Sequence, residues 1–364
     1  MDTKKILLLI IGVVILAILL IGLTPQATGL FGANQQDNYK LGLVMPLTGH
    51  FSNYGLNGLN GAKMTLDGTT EIELFVENDE GTPEKAASSA KRLIEMENVS
   101  AIFSFRSSTS AAIAPIAEQT KTLHLYASSA TESAKKYDWV FSNYGGTIKD
   151  DCKEIKKHLI ENIVFVGLTL DSSMECISEL EKNGKTFNKY LFNTEDKDFK
   201  SQITQIQAEN LGQLIIRADE KSLPLILKQM KELNYKPKQI ICPQATSSGC
   251  ANKETLNEYA EYFTNAIATD NYTLDSKEIV EFNKKYFEKY GTQPLDSTYS
   301  VYENVKILTR ILKECKGENE CMKQKLLTET FQGIESQIKF DANGVAITKT
   351  KLFRFDGNKW VSAN

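Results

Sequence analysis

The chain has 364 residues, of which 41% are hydrophobic and 24% are charged, and its formal net charge is -4. This length exceeds what one compact α/β domain usually needs, so it predicts two folded lobes. The composition is that of a globular protein and excludes a disordered or fibrous chain. The slightly acidic balance offers no basic surface, so no nucleic-acid partner is expected.

The N-terminus carries the clearest signal for a cellular compartment. Lys4 and Lys5 precede an uncharged apolar run, Ile6–Leu23, which is 18 residues long. A helix of this length spans roughly 27 Å, close to the hydrocarbon thickness of a bilayer. Signal peptides usually have a shorter apolar run that ends at a small-residue cleavage site, so the length favours an uncleaved membrane anchor over a cleaved signal peptide. The two lysines place the rest of the chain outside the membrane.

Behind this anchor or signal segment (residues 1–23), residues 24–38 are mostly small and polar and are interpreted as a flexible linker. From Tyr39 onward, short apolar strands alternate with helical segments, and the alternation restarts after a crossover near Tyr144. This pattern predicts an α/β fold of two similar lobes, each a parallel sheet sandwiched between helices, joined by a hinge of several strands. The predicted bounds are 39–145 with 274–345 for lobe 1, and 146–273 with 346–364 for lobe 2.

The six cysteines are an even number, which agrees with an extracytoplasmic location. Cys242 with Cys250, and Cys315 with Cys321, each flank a short polar segment where a local disulfide is reasonable. Free buried thiols are the alternative, because connectivity cannot be read from sequence. The sequence has no C-x-x-C pair and its three histidines lie far apart, so no metal and no cofactor are expected.

The loops after the predicted strands form the candidate site, because ligands of open α/β sheets bind beyond the carboxyl ends of the strands. These loops are rich in Ser, Thr and Tyr, and hydroxyls beside helix N-termini suit a carboxylate or another anion. The loops are 46–54, 104–108, 127–131, 169–173, 217–219 and 243–248. The sequence contains no G-x-S-x-G, no H-E-x-x-H and no glycine-rich phosphate loop, so an enzyme is not expected.

Several short motifs lie in and around these loops. They are Leu47-Thr48-Gly49, Tyr54-Gly55, Asn78-Asp79, Ser107-Ser108, Ser128-Ser129-Ala130-Thr131, Asp198-Phe199, Tyr290-Gly291 and Phe340-Asp341-Ala342-Asn343-Gly344. The ordered set resembles the branched-chain amino-acid type of solute-binding protein, with the type I periplasmic binding fold, over about residues 40–361. The resemblance implies a small-molecule ligand held between two closing lobes and the permease of an ABC transporter as partner.

The resemblance also implies roles for individual residues. Ser108 and Thr131 match positions whose hydroxyls hold the carboxylate of the ligand, and the backbone of Ser129 matches a further contact. Tyr54 matches an aromatic residue that lines the pocket. The other residues predicted to bind the ligand are Tyr144 at the crossover, Asp219 and Gln244. On local sequence alone, Ser108 is an ordinary helix cap and Thr131 a turn residue.

Three residues depart from the family pattern. Gln244 stands where amino-acid binders have an acidic residue that neutralises the ammonium of the ligand, and burying an unpaired ammonium is unfavourable. A free α-amino group is therefore in doubt unless Asp219, the candidate substitute, supplies the charge; the alternative for Asp219 is an exposed carboxylate in a turn. Arg106 stands where the family has small or apolar residues, as a second anion contact or in a surface salt bridge.

These observations predict a solute-binding protein whose extracytoplasmic domain is held at the cell membrane by the N-terminal helix. It would deliver a small carboxylate-bearing ligand, such as an amino acid or an analogue, to an ABC importer. The alternative is a receptor domain that senses an amino acid, amide or organic acid and regulates a partner protein without transport, because one fold serves both roles.

Overall fold

The computed structural model describes residues 38–363, apart from 129–130, 145–146, 161, 183, 185, 210–211 and 274–275. The predicted anchor and nearly all of the linker lie outside these described residues. Within the described part of the chain, no helix is both long enough and apolar enough to cross a membrane.

The chain alternates strands and helices along most of its described length. The strands are β1 (Tyr39–Met45), β2 (Ile72–Asn78), β3 (Ala101–Phe105), β4 (Leu123–Ala127), β5 (Val140–Ser142), β6 (Ile163–Leu168), β7 (Asn188–Phe192), β8 (Gln213–Arg217), β9 (Gln239–Cys242), β10 (Ile267–Asp270), β11 (Phe331–Gln332), β12 (Gln337–Ile338), β13 (Lys351–Phe355) and β14 (Trp360–Ser362). The helices are α1 (Ser52–Leu66), α2 (Pro83–Glu95), α3 (Ser107–Thr120), α4 (Glu132–Lys136), α5 (Ile148–Lys156), α6 (Asp171–Glu181), α7 (Lys200–Ala208), α8 (Ser222–Glu232), α9 (Lys253–Glu258), α10 (Lys277–Tyr290), α11 (Asp296–Glu314) and α12 (Asn319–Thr328).

Lobe 1 is built on a sheet of order β2-β1-β3-β4-β5, whose neighbouring strands are all parallel. Alternate residues of a strand point to opposite faces, so β1 contributes to two cores. Leu41, Leu43 and Met45 pack with α1, α11 and α12, whereas Val44 packs with α2 and α3. Helices on both faces explain why these strands are apolar throughout rather than alternating.

Lobe 2 is built on a sheet of order β14-β13-β10-β9-β8-β6-β7. The strands from β10 to β7 are parallel, and β13 and β14 add an antiparallel edge. Val164 and Val166 of β6 pack with α7 and α8 on one face, and Phe165 packs with α5 and α6 on the other. Both lobes are therefore three-layered α/β units, as the alternation of strands and helices predicts.

Within the described residues, the chain passes between the two sheets after β5, again after β10 and a third time before β13. The α/β fold with parallel-sheet lobes agrees with the prediction from sequence. The predicted residue bounds of the two lobes remain a prediction.

Three disulfides tie the lobes internally. Two are the local pairs expected from the sequence, Cys242–Cys250 and Cys315–Cys321. The third, Cys152–Cys176, joins α5 to α6 in lobe 2 and was not predicted. None of the six cysteines is free, so the alternative of buried free thiols is wrong.

The sequence patterns missed the shortest or most polar elements. The strand β10 has four residues, and α5 (Ile148–Lys156) carries a charged residue at most of its exposed positions. Thr82 occupies the cap position of α2, but its side chain makes no capping bond. Its hydroxyl donates instead to the carbonyl oxygen of Asp79 at 3.2 Å.

Candidate functional site

The candidate site is a cavity at the point where each sheet reverses its strand order. The reversal falls between β1 and β3 in lobe 1 and between β6 and β8 in lobe 2. Open α/β sheets bind ligands beyond the carboxyl ends of the strands at such points. A cavity of about 120 Å³ lies there and is lined from both lobes. Its lining residues are Phe51, Tyr54, Phe105, Arg106, Ser107, Ser108, Ala127, Ser128, Tyr144, Leu170, Asp171, Ser172, Arg217, Ala218, Gln244, Ser247 and Asp296.

The lobe 1 wall presents hydroxyls at the start of α3. Ser107 and Ser108 open this helix, and the hydroxyl of Ser107 lies 2.6 Å from that of Ser128. The first backbone N–H groups of a helix have no partner within it, and the helix dipole is positive there. This wall therefore suits an anion.

Tyr54 is fixed in the same wall by the packing of α1 against the loop after β1. A side chain at the next residue, Gly55, would place its Cβ 2.1 Å from the carbonyl oxygen of Pro46, so only glycine fits there. The Tyr54 hydroxyl is enclosed and has no hydrogen-bond partner among the described residues. Burial raises the pKa of Tyr54 well above its usual value, so the hydroxyl stays neutral and can donate.

A tyrosine and an aspartate occupy the hinge side of the cavity. The hydroxyl of Tyr144 donates to Oδ2 of Asp296 at 2.6 Å, and the backbone N–H of Ser297 donates to Oδ1 at 2.7 Å. Burial raises the pKa of Asp296 to about 6. Asp296 is therefore the buried carboxyl that faces the cavity directly.

The lobe 2 wall carries a buried cation. Arg217 ends β8, and only 6% of its surface is exposed. Its guanidinium donates to the carbonyl oxygen of Pro243 at 3.2 Å, to the hydroxyl of Ser247 at 3.0 Å and to that of Ser172 at 3.0 Å. Burial lowers the pKa of Arg217.

Gln244 lies beside Arg217 with a left-handed backbone (φ 52°) and is 2% exposed. Neither the oxygen nor the nitrogen of its side-chain amide has a hydrogen-bond partner among the described residues. Below it lies Asp151 of α5, fully buried, whose pKa is raised to about 7 by burial and by the nearby Asp270. The lobe 2 wall is thus charged and only partly satisfied by its own neighbours.

Arg106 lines the cavity from lobe 1 at the cap position of α3, with a φ of 92°. Its guanidinium carbon lies 3.1 Å from the centroid of the Phe51 ring, a cation–π contact. Its Nε is enclosed and unpartnered within the described residues. Burial lowers the pKa of Arg106 to about 10, so it stays protonated at neutral pH. The arginines that do form ion pairs in the described chain are Arg92 and Arg310, so a surface salt bridge of Arg106 is not found.

The structure brings together most, but not all, of the ligand-binding residues predicted from sequence. Tyr54, Ser108, Tyr144 and Gln244 all line the cavity. Ser129 lies outside the described residues.

Two predicted residues sit elsewhere. Thr131 is buried at the cap position of α4 and is not among the lining residues that the structure describes. Asp219 is also absent from the described lining, and it is buried (4% exposed) rather than exposed as the alternative had it. Its Oδ1 accepts from the backbone N–H of Ser222 at 2.7 Å, and its Oδ2 lies 3.0 Å from Nε2 of His50. Ligand contacts from either residue remain a prediction.

The two lobes also touch at the rim of the cleft. The His50–Asp219 contact joins the loop after β1 to the loop after β8, and Asn53 donates to the carboxylate of Glu220. The ammonium of Lys221 donates to the carbonyl oxygen of His50 at 2.6 Å. These direct bonds between lobes mean that the structure is that of a closed cleft.

The described part of the cavity lining holds no set of metal ligands. Among the described residues, no group of three or more His, Cys, Asp or Glu side chains is placed to hold a metal ion. The described lining residues can interact with a ligand through hydrogen bonds, charge and aromatic contacts.

Sequence reasoning did not single out Arg217, Ser172 or Asp296. The first two lie in loops that the strand-end rule had already selected, but a charged residue at a strand end is more often solvated. Asp296 follows no strand; it opens α11, and the rule gave no signal for it.

Comparison with known proteins agrees with this geometry. The sequence matches the periplasmic binding protein family over residues 38–359, so the chain belongs to that family. No curated protein matches the chain in sequence.

Solved structures share the fold at low sequence identity. A leucine-binding protein from Thermotoga maritima superposes with a TM-score of 0.75 at 21% identity, covering 90% of this chain and 98% of its own. A branched-chain amino-acid transporter substrate-binding protein from Streptococcus pneumoniae, in complex with isoleucine, gives 0.76 at 18%, covering 89% and 99%. A solute-binding protein of an ABC transporter from Rhodopseudomonas palustris, in complex with 3,4-dihydroxybenzoic acid, gives 0.76 at 15%, covering 90% and 97%. At these identities the likeness shows the fold alone.

Proposed function

We propose that this chain is the extracytoplasmic solute receptor of an ABC importer and that it captures a small carboxylate-bearing ligand between its two lobes. The observation that carries the proposal is the cavity lined from both lobes at both points of strand-order reversal. Binding energy gained from both walls would favour the closed form, which a permease can then recognise.

The lobe 1 wall supports a carboxylate ligand. Ser108 and the free N–H groups at the start of α3 offer neutral donors and a positive helix end to an anion. The structures in complex with isoleucine and with 3,4-dihydroxybenzoic acid both hold a ligand that bears a carboxyl group. The role requires binding and release without catalysis, so no enzyme activity is part of the proposal.

The membrane anchor is part of the same proposal. The apolar run Ile6–Leu23 would hold the receptor beside its permease. The proposal also keeps the lobe bounds predicted from the sequence. Salt washing of membranes followed by N-terminal sequencing tests the anchor. An intact N-terminus in the washed membrane fraction is expected, and a soluble chain that begins after residue 23 would contradict it.

The test of the function is a thermal-shift screen of the full chain in detergent against amino acids, amides and small carboxylates. A ligand at about 100 times its Kd should stabilise the protein by about 2.7 kcal/mol, a shift of a few degrees in Tm. Ser108→Ala should reduce the shift, whereas Ser88→Ala, which removes an exposed hydroxyl on α2, should not. A screen in which carboxylates give no shift and another ligand class does would overturn the proposal.

A further inference from the structure

The lobe 2 wall holds a guanidinium whose charge has no partner of its own. Arg217 is buried, and its three hydrogen bonds go to neutral oxygens of Pro243, Ser247 and Ser172. A guanidinium has five N–H donors, so two of them remain for a ligand in the cavity that Arg217 lines.

The nearest carboxyl groups do not form an ion pair with Arg217. Asp151 and Asp296 act on it through space, but no carboxylate of the described residues lies within the 4.0 Å of an ion pair. Burial raises the pKa of Asp151 to about 7, which weakens the charge that it offers Arg217 near neutral pH, and that of Asp296 only to about 6. A buried charge without a close partner is destabilising, and a ligand that supplies the opposite charge would relieve this cost.

The part of this wall around Arg217 disfavours an ammonium, although the exposed carboxylate of Asp171 lines the cavity from the same lobe. Arg217 repels a cation, and Gln244 beside it is neutral. The Gln244 amide is 2% exposed, and neither of its polar atoms has a partner at bonding distance within the described chain, although Asp151 lies close beneath it. An anion that accepts from both side chains would satisfy the free donors of this wall.

The opposite wall offers a separate place for an anion. Ser108 and the N-terminus of α3 lie in lobe 1, with Arg106 beside them and its Nε unpartnered among the described residues. The cavity of about 120 Å³ is close to the roughly 150 Å³ cavity that accommodates a benzene molecule. Residues of both lobes line this one cavity, so a small ligand that fills it contacts both walls at once.

We propose that the ligand is a small dicarboxylate, with one carboxylate held in lobe 1 at the start of α3 and the other held in lobe 2 by Arg217. This inference rests on the proposed function, because it assumes that the cleft binds a carboxylate in lobe 1. The second carboxylate then bridges the lobes and stabilises the closed form. Simple diacids and acidic amino acids share this chemistry, and Asp296 faces the cavity where an amine of the latter would lie.

Isothermal titration of the full chain in detergent tests the proposal with matched ligands. The probes are succinate, glutarate, the half-amide of each, L-glutamate, leucine and benzoate. A half-amide keeps the shape and removes one charge, so the better diacid should bind at least about 30-fold tighter than its half-amide. Binding of L-glutamate at least as tight as glutarate would support the acidic amino acid as the source. Tighter glutarate would support the simple diacid.

Variants of Arg217 and of a control arginine, Arg354, test whether Arg217 causes the preference for a diacid over its half-amide. In Arg217→Gln the diacid should bind about 100-fold more weakly, and its advantage over the half-amide should fall below about threefold. Arg217→Lys keeps the charge without the planar fork and should recover part of that preference. Arg354→Gln, which removes an exposed arginine of β13 in the same lobe, should change neither value.

The outcomes separate the two proposals. If leucine, benzoate or a half-amide binds as tightly as the diacids, the dicarboxylate inference is overturned and the proposed function stands. The same holds if Arg217→Gln keeps the full diacid preference. If no carboxylate binds at all, the proposed function itself is overturned. The ligand series on the parent protein decides these points even if Arg217→Gln does not fold.

Discussion

The two walls of the cleft share a fold but differ in their buried polar chemistry. Behind the lobe 1 wall lies a neutral network in which Ser104 is 2.7 Å from both Ser110 and His124. Burial lowers the pKa of His124 to about 3, so this network carries no charge at neutral pH. Arg217 lies in the lobe 2 wall, and the buried acids Asp151 and Asp270 lie behind it; the one cation that lines the cavity from lobe 1 in the described chain is Arg106.

The difference shows how one scaffold can combine a stable lobe with a selective one. Neutral buried groups that bond one another are stable whether or not ligand is present. Buried charges without close partners weaken the free protein and gain most when a ligand completes them. We therefore expect perturbations of lobe 2 to change stability and ligand binding more than perturbations of lobe 1.

Removing the buried acid of lobe 2 should give the largest effect. Burial raises the pKa of Asp151 to about 7 from an ordinary value of 3.8, so the folded protein holds this proton more tightly than the unfolded chain. Its stabilising contribution is complete below about pH 4 and is lost as the pH rises through 7. Asp270 accepts four hydrogen bonds, whereas neither oxygen of Asp151 has a partner at bonding distance in the described chain, so Asp151 should be the acid that titrates.

The variant Asp151→Asn should therefore gain stability relative to the parent as the pH rises from 4 to 8, by about 2–4 kcal/mol. Urea unfolding at several pH values measures this difference. The control Asp138→Asn changes an exposed residue just before β5, and its stability should depend on pH as that of the parent does. Parallel pH curves for Asp151→Asn and the parent would show that this acid is ionised in the folded state at all these pH values.

Removing the Cys242–Cys250 disulfide of lobe 2 should have the second largest effect. Cys242–Cys250 closes the loop that carries Gln244 and Ser247, and Ser247 in turn accepts from Arg217. Replacing both cysteines by alanine should lower the free energy of unfolding by about 2–3 kcal/mol. It should also weaken ligand binding, because the loop then orders only when ligand binds.

The Cys315–Cys321 disulfide is the matched control, since it closes a similarly short loop in lobe 1 and neither cysteine lines the cavity. Its alanine pair should lose comparable stability and keep the parent affinity in titration calorimetry. Equal losses of affinity in the two double variants would contradict the prediction that the loop carrying Gln244 contributes to ligand binding.

The particular residues show what sequence patterns can and cannot predict. The lobes, most strands and the positions of Tyr54, Ser108, Tyr144 and Gln244 in the cleft follow from periodicity, the strand-end rule and the family resemblance. Strand ends can be counted along the chain, so their loops are predictable. The lack of an ion-pair partner for Arg217 cannot be predicted in this way, because it depends on which side chains from distant segments fall within 4 Å of it. The position of Asp219 at the rim depends in the same way on His50 from the other lobe.

The contacts at the rim should have the smallest effect, and one that appears in kinetics. His50 joins lobe 1 to Asp219 of lobe 2 only when the cleft is closed, so its loss should destabilise the closed form. The expected cost is about 1 kcal/mol, or about a fivefold faster ligand dissociation, because one partly exposed hydrogen bond is removed. Stopped-flow measurement on His50→Ala should show the faster dissociation with an unchanged association rate, since ligand enters the open cleft. His158→Ala is the control, as the ring of His158 lies 3.8 Å from the carboxylate of Glu154 in its own lobe. A slower association in His50→Ala would place His50 in ligand capture instead of in closure, and the rim would then belong to the binding wall of lobe 1.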